Sequence, residues 1–257
     1  MTFSLIVVTT DRLSLVERLF NSLANQVYRD FEVILVHGPA VPEAAARAVA
    51  ENFAALNLKI LTSRDHCLSR SRNLALPQAT GDILAFPDDD CLYAPDTLAR
   101  CAATFEREPH ADVILGRTLD LAEDAPTDAD NHRMLTSRYS LFRHSTSFVQ
   151  FHRKQVAPAI GGFDENMGVG CASPYQSGED TDYVLRAFSA GFGVFHAPSV
   201  LIRHPAVNPR DPALPAKVKN YAAGRMYLLR KHGLPLWFKQ EFPNNCVFIH
   251  ITMYNNI

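Results

Sequence analysis

The 257-residue sequence contains no apolar run that approaches the roughly 18 residues required to cross a bilayer. Its first residues also lack the basic region and the long apolar core of a signal peptide before strand-like sequence starts at Leu5. These two absences exclude a polytopic membrane protein and predict a chain without a secretory leader. The expected location is therefore the cytoplasm, with peripheral association at the inner face of the membrane left open.

The sequence also has little net charge, and its cysteines do not have metal-binding spacing. A net charge of −2 provides no general basic surface, so nucleic acid is not an expected partner. Five cysteines form no CxxC or Cys/His pattern, and their odd number predicts reduced thiols, as in a cytosolic protein. With 47% hydrophobic and 20% charged residues, the composition is that of a folded globular protein.

The first half of the sequence alternates short apolar runs with helical patterns. Strands are predicted at residues 5–8, 31–36, 58–61, 82–86 and 112–116. Helices are predicted between them, and Ser14 and Glu17 have the spacing of a capping box at the start of the first helix. This alternation predicts an α/β fold with a Rossmann-like, mostly parallel sheet flanked by helices.

The second half of the sequence is less regular. Residues 122–131 are acidic and aperiodic, which predicts a loop and a boundary between two halves. Beyond it, the patterns predict strands at residues 146–151, 194–196 and 200–202, and helices at residues 153–160, 179–190 and 216–232. Residues 234–257 are treated as a C-terminal tail, in which residues 234–239 have the amphipathic, aromatic character of a segment that lies on a membrane or a neighbour and residues 244–257 have no clear pattern.

A triplet of carboxylates, Asp88, Asp89 and Asp90, directly follows the predicted strand at residues 82–86. Three adjacent like charges repel each other and are costly to desolvate unless a cation neutralises them. The carboxyl end of a parallel strand is where open α/β sheets bind ligands, and oxygen donors suit Mg²⁺ or Mn²⁺. A solvated acidic turn is the alternative, because Pro-Asp-Asp is common in turns.

A second group of carboxylates, Glu179, Asp180 and Asp182, begins the predicted helix at residues 179–190. Acidic side chains in a first helical turn complement the helix dipole, and capping is therefore the structural alternative. Capping needs only one carboxylate. The surplus suggests that one of them has another task, such as removing a proton from a hydroxyl group.

The order of five motifs resembles that of family-2 glycosyltransferases with the GT-A fold, over roughly residues 3 to 205. Each motif is weak by itself, and the resemblance depends on their common order. They are Thr9-Thr10-Asp11-Arg12, Leu68 to Asn73, Gly81 to Asp90, Gly161 to Glu165 and Gly178 to Asp182.

The resemblance implies a role for each group of carboxylates. The Asp-x-Asp motif of such enzymes falls on Asp88 and Asp90, with Asp90 as the metal ligand and Asp88 facing the donor as well as the metal. Asp89 lies between them on the nucleotide-sugar side, without a more specific role. Asp180 matches the catalytic base of an inverting transfer, and Glu179 would support it. His204 is a candidate third metal ligand, with a structural histidine as the alternative.

The resemblance also implies a nucleotide-binding side. Thr9 and Asp11 follow the first strand, where contacts to base and ribose begin in the family, although Asp11 has helix capping as an alternative. Arg72 and Asn73 match the Ser-x-x-Arg-Asn pattern near the nucleotide. His37 stands where the family often has an aspartate that binds the base. This departure puts the usual preference for uracil in doubt.

Together these features predict one GT-A domain with a metal- and nucleotide-binding half (residues 1–120) and an acceptor and catalytic-base half (residues 121–233). The expected activity is inverting, Mn²⁺- or Mg²⁺-dependent transfer of a sugar from a nucleotide-sugar to a hydroxyl group. The acceptor would be a glycan or glycolipid in surface polysaccharide synthesis. A sugar-phosphate nucleotidyltransferase and a non-catalytic nucleotide- or glycan-binding protein are the alternatives. The former needs a glycine-rich loop after the first strand, which Thr9 to Arg12 do not provide.

Overall fold

A computed structural model describes residues 1–124 and 131–235. Within these residues, one sheet contains nine strands: β1 (Phe3–Thr9), β2 (Phe31–His37), β3 (Asn57–Thr62), β4 (Ile83–Ala85), β5 (Leu92–Tyr93), β6 (Val113–Leu119), β7 (Arg133–Met134), β8 (Gln150–Arg153) and β9 (Val194–Arg203). The helices of the same ranges are α1 (Leu13–Ala24), α2 (Glu43–Asn52), α3 (Leu68–Ala75), α4 (Thr97–Arg107), α5 (Arg138–His144), α6 (Val156–Ile160), α7 (Glu179–Ser189) and α8 (Leu214–Lys231). Short 3-10 turns cover Leu76–Gln78 and Ser147–Val149.

The sheet is mostly parallel in its first half. Its strands follow the order β3-β2-β1-β4-β8-β6-β9-β5, with β7 paired to β9. Strands β3, β2, β1 and β4 run parallel, whereas β8 runs antiparallel to both β4 and β6. The parallel strands read as continuous apolar runs because helices cover both of their faces. The predicted α/β fold with a mostly parallel sheet is confirmed.

The helices bury the faces that their apolar spacing predicts. Helix α1 packs Val16, Leu19, Phe20 and Leu23 against the sheet, with all four side chains fully buried. Its capping-box prediction is wrong, because the helix begins at Leu13 and Ser14 makes no capping hydrogen bond. The backbone N–H of the preceding Arg12 instead donates to the Thr9 hydroxyl at 3.2 Å.

Two further local expectations are corrected by long-range pairing. The strands predicted at residues 194–196 and 200–202 are one strand, β9, which follows β6 on both sides of a register shift between Leu115 and Arg117. The strand predicted at residues 146–151 is a 3-10 turn that leads into β8.

The prediction of reduced thiols is wrong for one pair of cysteines. Cys67, before α3, forms a disulfide with Cys171, in the loop before α7. The two residues are 104 positions apart, so only the tertiary fold brings them together. Cys91 and Cys101 are free and buried, and Cys246 lies outside the described residues. The cysteine count therefore does not support a cytosolic location.

No helix in the described ranges has the length and apolar character that a membrane span requires. The predicted C-terminal tail falls outside those ranges from residue 236 onward, and the division of the chain into a donor half and an acceptor half stays a prediction.

Candidate functional site

The carboxylate triplet lies where the topology of the sheet places it. Strands β1 and β4 are parallel neighbours, and their pairing continues beyond β4 as a bridge between Val8 and Asp88. The loops that follow the two strands therefore leave the same edge of the sheet side by side. This arrangement brings Thr9 and Arg12 against the triplet, at the carboxyl ends of the strands where such sheets bind ligands.

Asp89 faces inward and is only 2% exposed. Its Oδ2 accepts hydrogen bonds from the Thr9 hydroxyl at 2.7 Å and from Arg12 Nε at 3.2 Å, and a second Arg12 nitrogen contacts Oδ1. Burial raises the pKa of Asp89 to about 6, as do its neighbouring carboxylates, and Arg12 and Thr9 oppose that rise. Both carboxylate oxygens are thus engaged by protein groups. The predicted nucleotide contacts of Thr9 and Asp89 stay predictions.

Asp88, Asp90 and His204 form the one candidate metal cluster found in the described residues. Each offers a ligand atom, and these atoms lie within 4.8 Å of one another. His204 Nδ1 donates to the carbonyl oxygen of Pro205 at 2.8 Å, so that Nε2 carries the lone pair whenever the ring is neutral. Burial lowers the pKa of His204, but Asp90 and Asp88 outweigh it and raise the pKa, so that a cation and a proton compete for Nε2. Nε2 points at Asp90 Oδ1 at 3.2 Å.

Asp90 Oδ1 is a buried oxygen without a well-directed hydrogen bond in the described structure, despite its proximity to His204. Two lone pairs that face each other need a proton or a cation between them. Burial alone would raise the pKa of Asp90, but His204 and Arg12 outweigh it and lower the pKa. The donor set, two carboxylates and one imidazole, therefore fits a divalent cation such as Mn²⁺.

Asp88 connects the triplet to the other half of the site. Its Oδ1 accepts hydrogen bonds from Arg72 Nη2 and from the Ser147 hydroxyl, both at 3.1 Å. The side chain keeps 29% of its surface accessible, in a recess enclosed by protein. Burial raises the pKa of Asp88 and Asp90 adds to the rise, whereas the charge of Arg72 opposes it.

The second carboxylate group faces the triplet from the start of α7. Gly178 precedes the helix in the left-handed region at φ 89°, and Glu179 and Asp180 follow it. Arg72, which is 1% exposed, lies 3.4 Å from Glu179 Oε1 through Nη1. The backbone N–H of Ser147 donates to Asp180 Oδ2 at 3.2 Å. Ser147 therefore contacts Asp88 with its hydroxyl and Asp180 with its amide.

The pKa values of both α7 carboxyls are raised. Burial is the largest cause for each, and the nearby negative charge of Asp180 adds to the rise of Glu179 to about 7. Arg72 opposes both shifts, and the Thr181 N–H opposes that of Asp180. A carboxyl with a raised pKa is suited to proton transfer near neutral pH. The N-cap residue, Gly178, makes no side-chain capping bond, whereas Asp180 Oδ1 accepts one from the Thr181 N–H at 2.6 Å.

The remaining predicted residues lie at different distances from this centre. His37 is 1% exposed at the end of β2, with Nε2 3.0 Å from the Thr62 hydroxyl. Asp11 is exposed beside Thr10. Asn73 donates from Nδ2 to the Phe163 carbonyl at 2.9 Å and to Glu165, and its Oδ1 accepts from the Phe163 N–H. These contacts give Asn73 a structural role in the 161–165 turn, and its nucleotide contact stays a prediction.

Sequence reasoning missed three residues at the site. Arg12 was part of a motif but received no role, although its contact with Asp89 and Asp90 follows from the parallel pairing of β1 and β4. Ser147 and Tyr221 carry no local signal. They reach the centre through the 3-10 turn before β8 and through α8, elements whose placement depends on distant contacts.

The sheet order, the acidic edge and the opposed carboxylates define a GT-A fold. Consistent with it, a mannosyltransferase of Pyrobaculum calidifontis, solved with GDP-Man and Mn²⁺, superposes with a TM-score of 0.67 over 93% of this chain and 71% of its own, at 19% identity. Staphylococcus aureus TarS 1–349, solved with UDP-GlcNAc, gives a TM-score of 0.63 over 82% of this chain and 60% of its own, at 22% identity. At these identities the likeness concerns the fold alone.

Residues 4–185 match the sequence profile of Glycosyl transferase family 2, and the chain belongs to that family. This membership confirms the resemblance drawn from the five motifs. The poly(ribitol-phosphate) beta-N-acetylglucosaminyltransferase TarS of S. aureus is 35% identical over 119 residues, 45% of this chain and 20% of TarS. The glycosyltransferase AglE of Haloferax volcanii is 25% identical over 244 residues, 88% of this chain and 76% of AglE.

The match therefore spans only a fifth of TarS, and most of AglE at lower identity. The substrates that the names of these relatives contain are those of the relatives.

Proposed function

We propose that the protein transfers a sugar from a nucleotide-sugar to a hydroxyl group, with inversion at the anomeric carbon and with a divalent cation at Asp88, Asp90 and His204. One observation carries the proposal. Ser147 contacts Asp88 through its hydroxyl and Asp180 through its amide, so the candidate base lies next to the candidate metal site. A transferred sugar must bridge these two groups, because one deprotonates the acceptor and the other holds the leaving group.

The donor side is supported by the chemistry of the residues. Asp90 Oδ1, a buried acceptor without a well-directed hydrogen bond among the described residues, faces His204 Nε2 at 3.2 Å, close enough for both to be ligands of one cation. When bound, Mg²⁺ or Mn²⁺ would stabilise the charge that develops on the departing nucleoside diphosphate. Asp88 is held by Arg72 at the inner side of this cluster, where it would face the donor sugar as well.

The acceptor side assigns the proton transfer to Asp180. In an inverting displacement, the acceptor oxygen forms a bond to the anomeric carbon while the bond to the diphosphate breaks, and the acceptor proton passes to a carboxylate. Asp180 is held by the Ser147 and Thr181 amides, which fix its direction. Its raised pKa favours acceptance of a proton from a hydroxyl group. Glu179, paired with Arg72, would help to hold the base in position.

The nucleotide and the acceptor are proposed by class only. Related structures hold UDP-GlcNAc or GDP-Man, so a uridine or guanosine diphosphate sugar is the first donor to test. A glycan or glycolipid in polysaccharide synthesis at the inner face of the membrane is the proposed acceptor. Residues 1–120 would bind the donor and residues 121–233 would bind the acceptor.

The metal assignment is tested by nucleotide binding with and without Mn²⁺. We expect UDP or GDP to raise the melting temperature of the wild-type protein further when Mn²⁺ is present, because binding stabilises the folded state. Asp90→Ala should abolish the additional rise. Asp96→Asn, an exposed residue paired with Arg100 on α4, is the control and should keep it. An Asp90→Ala protein with the wild-type Mn²⁺ effect would reject the metal site.

The base assignment is tested by hydrolysis of the same donor, in which water replaces the acceptor. Asp180→Asn should bind nucleotide and Mn²⁺ as the wild type does, and its turnover should fall by about a hundredfold or more. Loss of nucleotide binding with the loss of turnover would instead move Asp180 to the donor site. Wild-type turnover in the variant would remove Asp180 as the base.

A further inference from the structure

Helix α8 lies across the acceptor side of the site with one face turned inward. Tyr221, Gly224, Leu228 and Lys231 repeat at spacings of three and four, which places them on that face. Leu228 is fully buried, and Tyr227 stacks on Tyr175 of the loop before α7 at a centroid distance of 4.2 Å. The helix is therefore packed along the segment that delivers Glu179 and Asp180.

The C-terminal end of α8 is held by a buried ion cluster centred on Asp182. Asp182 is 0% exposed, two residues after the proposed base. Lys231 Nζ and His232 Nε2 each lie 2.8 Å from its Oδ1, and Arg186 Nε lies 2.8 Å from its Oδ2. Lys231 also contacts Asp164 at 2.6 Å. The first turn of α7 is thus fixed from two sides, by the site through Asp180 and by α8 through Asp182.

The middle of α8 is fixed against the loop directly before Gly178. The Ser177 hydroxyl donates to the carbonyl oxygen of Tyr221 at 2.9 Å. A Cβ atom at Gly224 would come within 2.4 Å of the Ser177 carbonyl oxygen, so only glycine allows this approach. Both contacts hold the backbone of α8 against the residue that precedes Gly178, three positions before Asp180. Burial raises the pKa of Tyr221, and the charges of Glu179, Asp88 and Asp180 add to the rise.

We propose that Asp182, Lys231 and His232 are positioning residues, whose ion cluster holds α8 against the first turn of α7 and thereby fixes the position of Asp180. This inference rests on the proposed function of Asp180.

Stability alone is a weak explanation for such a cluster. Replacing a buried ion pair with apolar residues is often neutral for stability, because desolvation of the charges offsets their attraction. Fixing the register of one helix against another is the best-attested use of buried ions. The cluster joins the end of α8 to the first turn of α7, the turn that carries Asp180.

The test uses Lys231→Met as the main variant, since Lys231 is 28% exposed and its loss is tolerated better than loss of the buried Asp182. Lys231→Arg retains the charge. Lys217→Met is the matched control, because Lys217 lies on the same helix in a surface ion pair with Asp211. Amide hydrogen exchange of the full chain, donor hydrolysis in Mn²⁺, and the Kd of UDP or GDP are measured for each variant.

In Lys231→Met we expect amides of residues 177–181 and 219–226 to exchange about tenfold faster, with strand β1 unchanged. Turnover in donor hydrolysis should fall about tenfold or more, since small displacements near the reacting atoms are costly. The nucleotide Kd should stay within about twofold of the wild type, because the donor half is untouched. Lys231→Arg should keep most of the wild-type amide exchange and turnover, and Lys217→Met should change neither.

Wild-type rates of amide exchange in both segments of Lys231→Met would overturn the proposed role of the ion cluster. So would faster exchange with unchanged turnover, which would reduce the cluster to a structural role. A wild-type protein that hydrolyses no donor would reject the proposed function instead, and the exchange result would still decide whether the cluster positions α8.

Discussion

Arg72 offers the most direct perturbation of the site, because it is a buried cation between two carboxylates from different halves of the chain. Its guanidinium contacts Asp88 at 3.1 Å and Glu179 at 3.4 Å and lies 5.2 Å from the ring centroid of Phe163. Arg72→Met keeps the apolar body of the side chain and removes the charge. We expect this variant to destabilise the protein.

The magnitude follows from what the substitution leaves behind. Removing one partner of a buried ion pair costs about 3–5 kcal/mol, because the other charge stays buried without compensation. Asp88 keeps partial access to water, so the lower end applies, about 3 kcal/mol at neutral pH and above. Loss of the contact with the Phe163 ring adds less, about 0.5–1 kcal/mol.

The loss should depend on pH in a direction that the pKa of Glu179 fixes. In the folded protein that pKa is raised from 4.5 to about 7, so wild-type stability falls as pH rises between these values. Arg72 opposes the rise, and without it the folded pKa moves higher. The fall then continues to higher pH. The difference in stability between the two proteins should therefore be about 1 kcal/mol near pH 5 and approach 3 kcal/mol near pH 8.5.

Urea unfolding at both pH values measures this difference. Arg70→Gln is the control, because Arg70 lies on the same helix in exposed ion pairs with Asp65 and Glu165, and its loss should change stability little at either pH. A loss for Arg72→Met that is the same at both pH values would refute the pairing with Glu179. A loss no larger than that of Arg70→Gln would refute the buried triad.

Three further predictions concern other parts of the structure. Glu32, at 4% exposure, has a pKa lowered to about 2 because hydrogen bonds from Lys59, Ser4 and Thr80 outweigh its burial. In urea unfolding, Glu32→Gln should therefore lose about 2–3 kcal/mol of stability at pH 7, and this loss should vanish as pH falls from 4.5 towards 2. Gly168→Ala, at φ +111° with Ser69 Oγ 2.8 Å from the added Cβ, should cost about 1 kcal/mol more than Gly191→Ala, whose Cβ would meet no atom within 4 Å; equal melting temperatures would contradict the contact. Binding of Mn²⁺ with UDP or GDP should release protons near pH 6, because the cation favours ionised carboxylates; calorimetric heats that do not vary with the ionisation enthalpy of the buffer would contradict it.

The features predicted from the sequence are those that local pattern determines. The apolar runs gave strands β1, β2, β3 and β4 within a few residues, because fully buried parallel strands leave a continuous apolar signal. The position of the triplet at the edge of the sheet followed from the same run, since Asp88 directly continues the pairing of β4 with β1.

Contacts between distant segments could not be predicted. The disulfide between Cys67 and Cys171 has no spacing signal, and the contact of Ser147 with Asp88 and Asp180 depends on how β8 enters the sheet. The sequence does not indicate the role of α8 either. Its sequence indicates a long helix, but its inward face is defined only by the loop and the ion cluster against which it packs.

The balance of charge explains why one end of this sheet suits a cation. Five carboxylates meet there, and two arginines lie within hydrogen-bond distance of them. Arg12 pairs with Asp89 and Asp90, and Arg72 pairs with Asp88 and Glu179. Two positive charges against five carboxylates leave an excess of negative charge. The pKa values of Asp88, Asp89, Glu179 and Asp180 are accordingly raised. Asp90 is the exception, with a lowered pKa and an oxygen that lacks a directed hydrogen bond in the described structure. A divalent cation beside that oxygen would relieve the excess without adding a proton to Asp180, and the proposed base would remain free to accept one from a hydroxyl group.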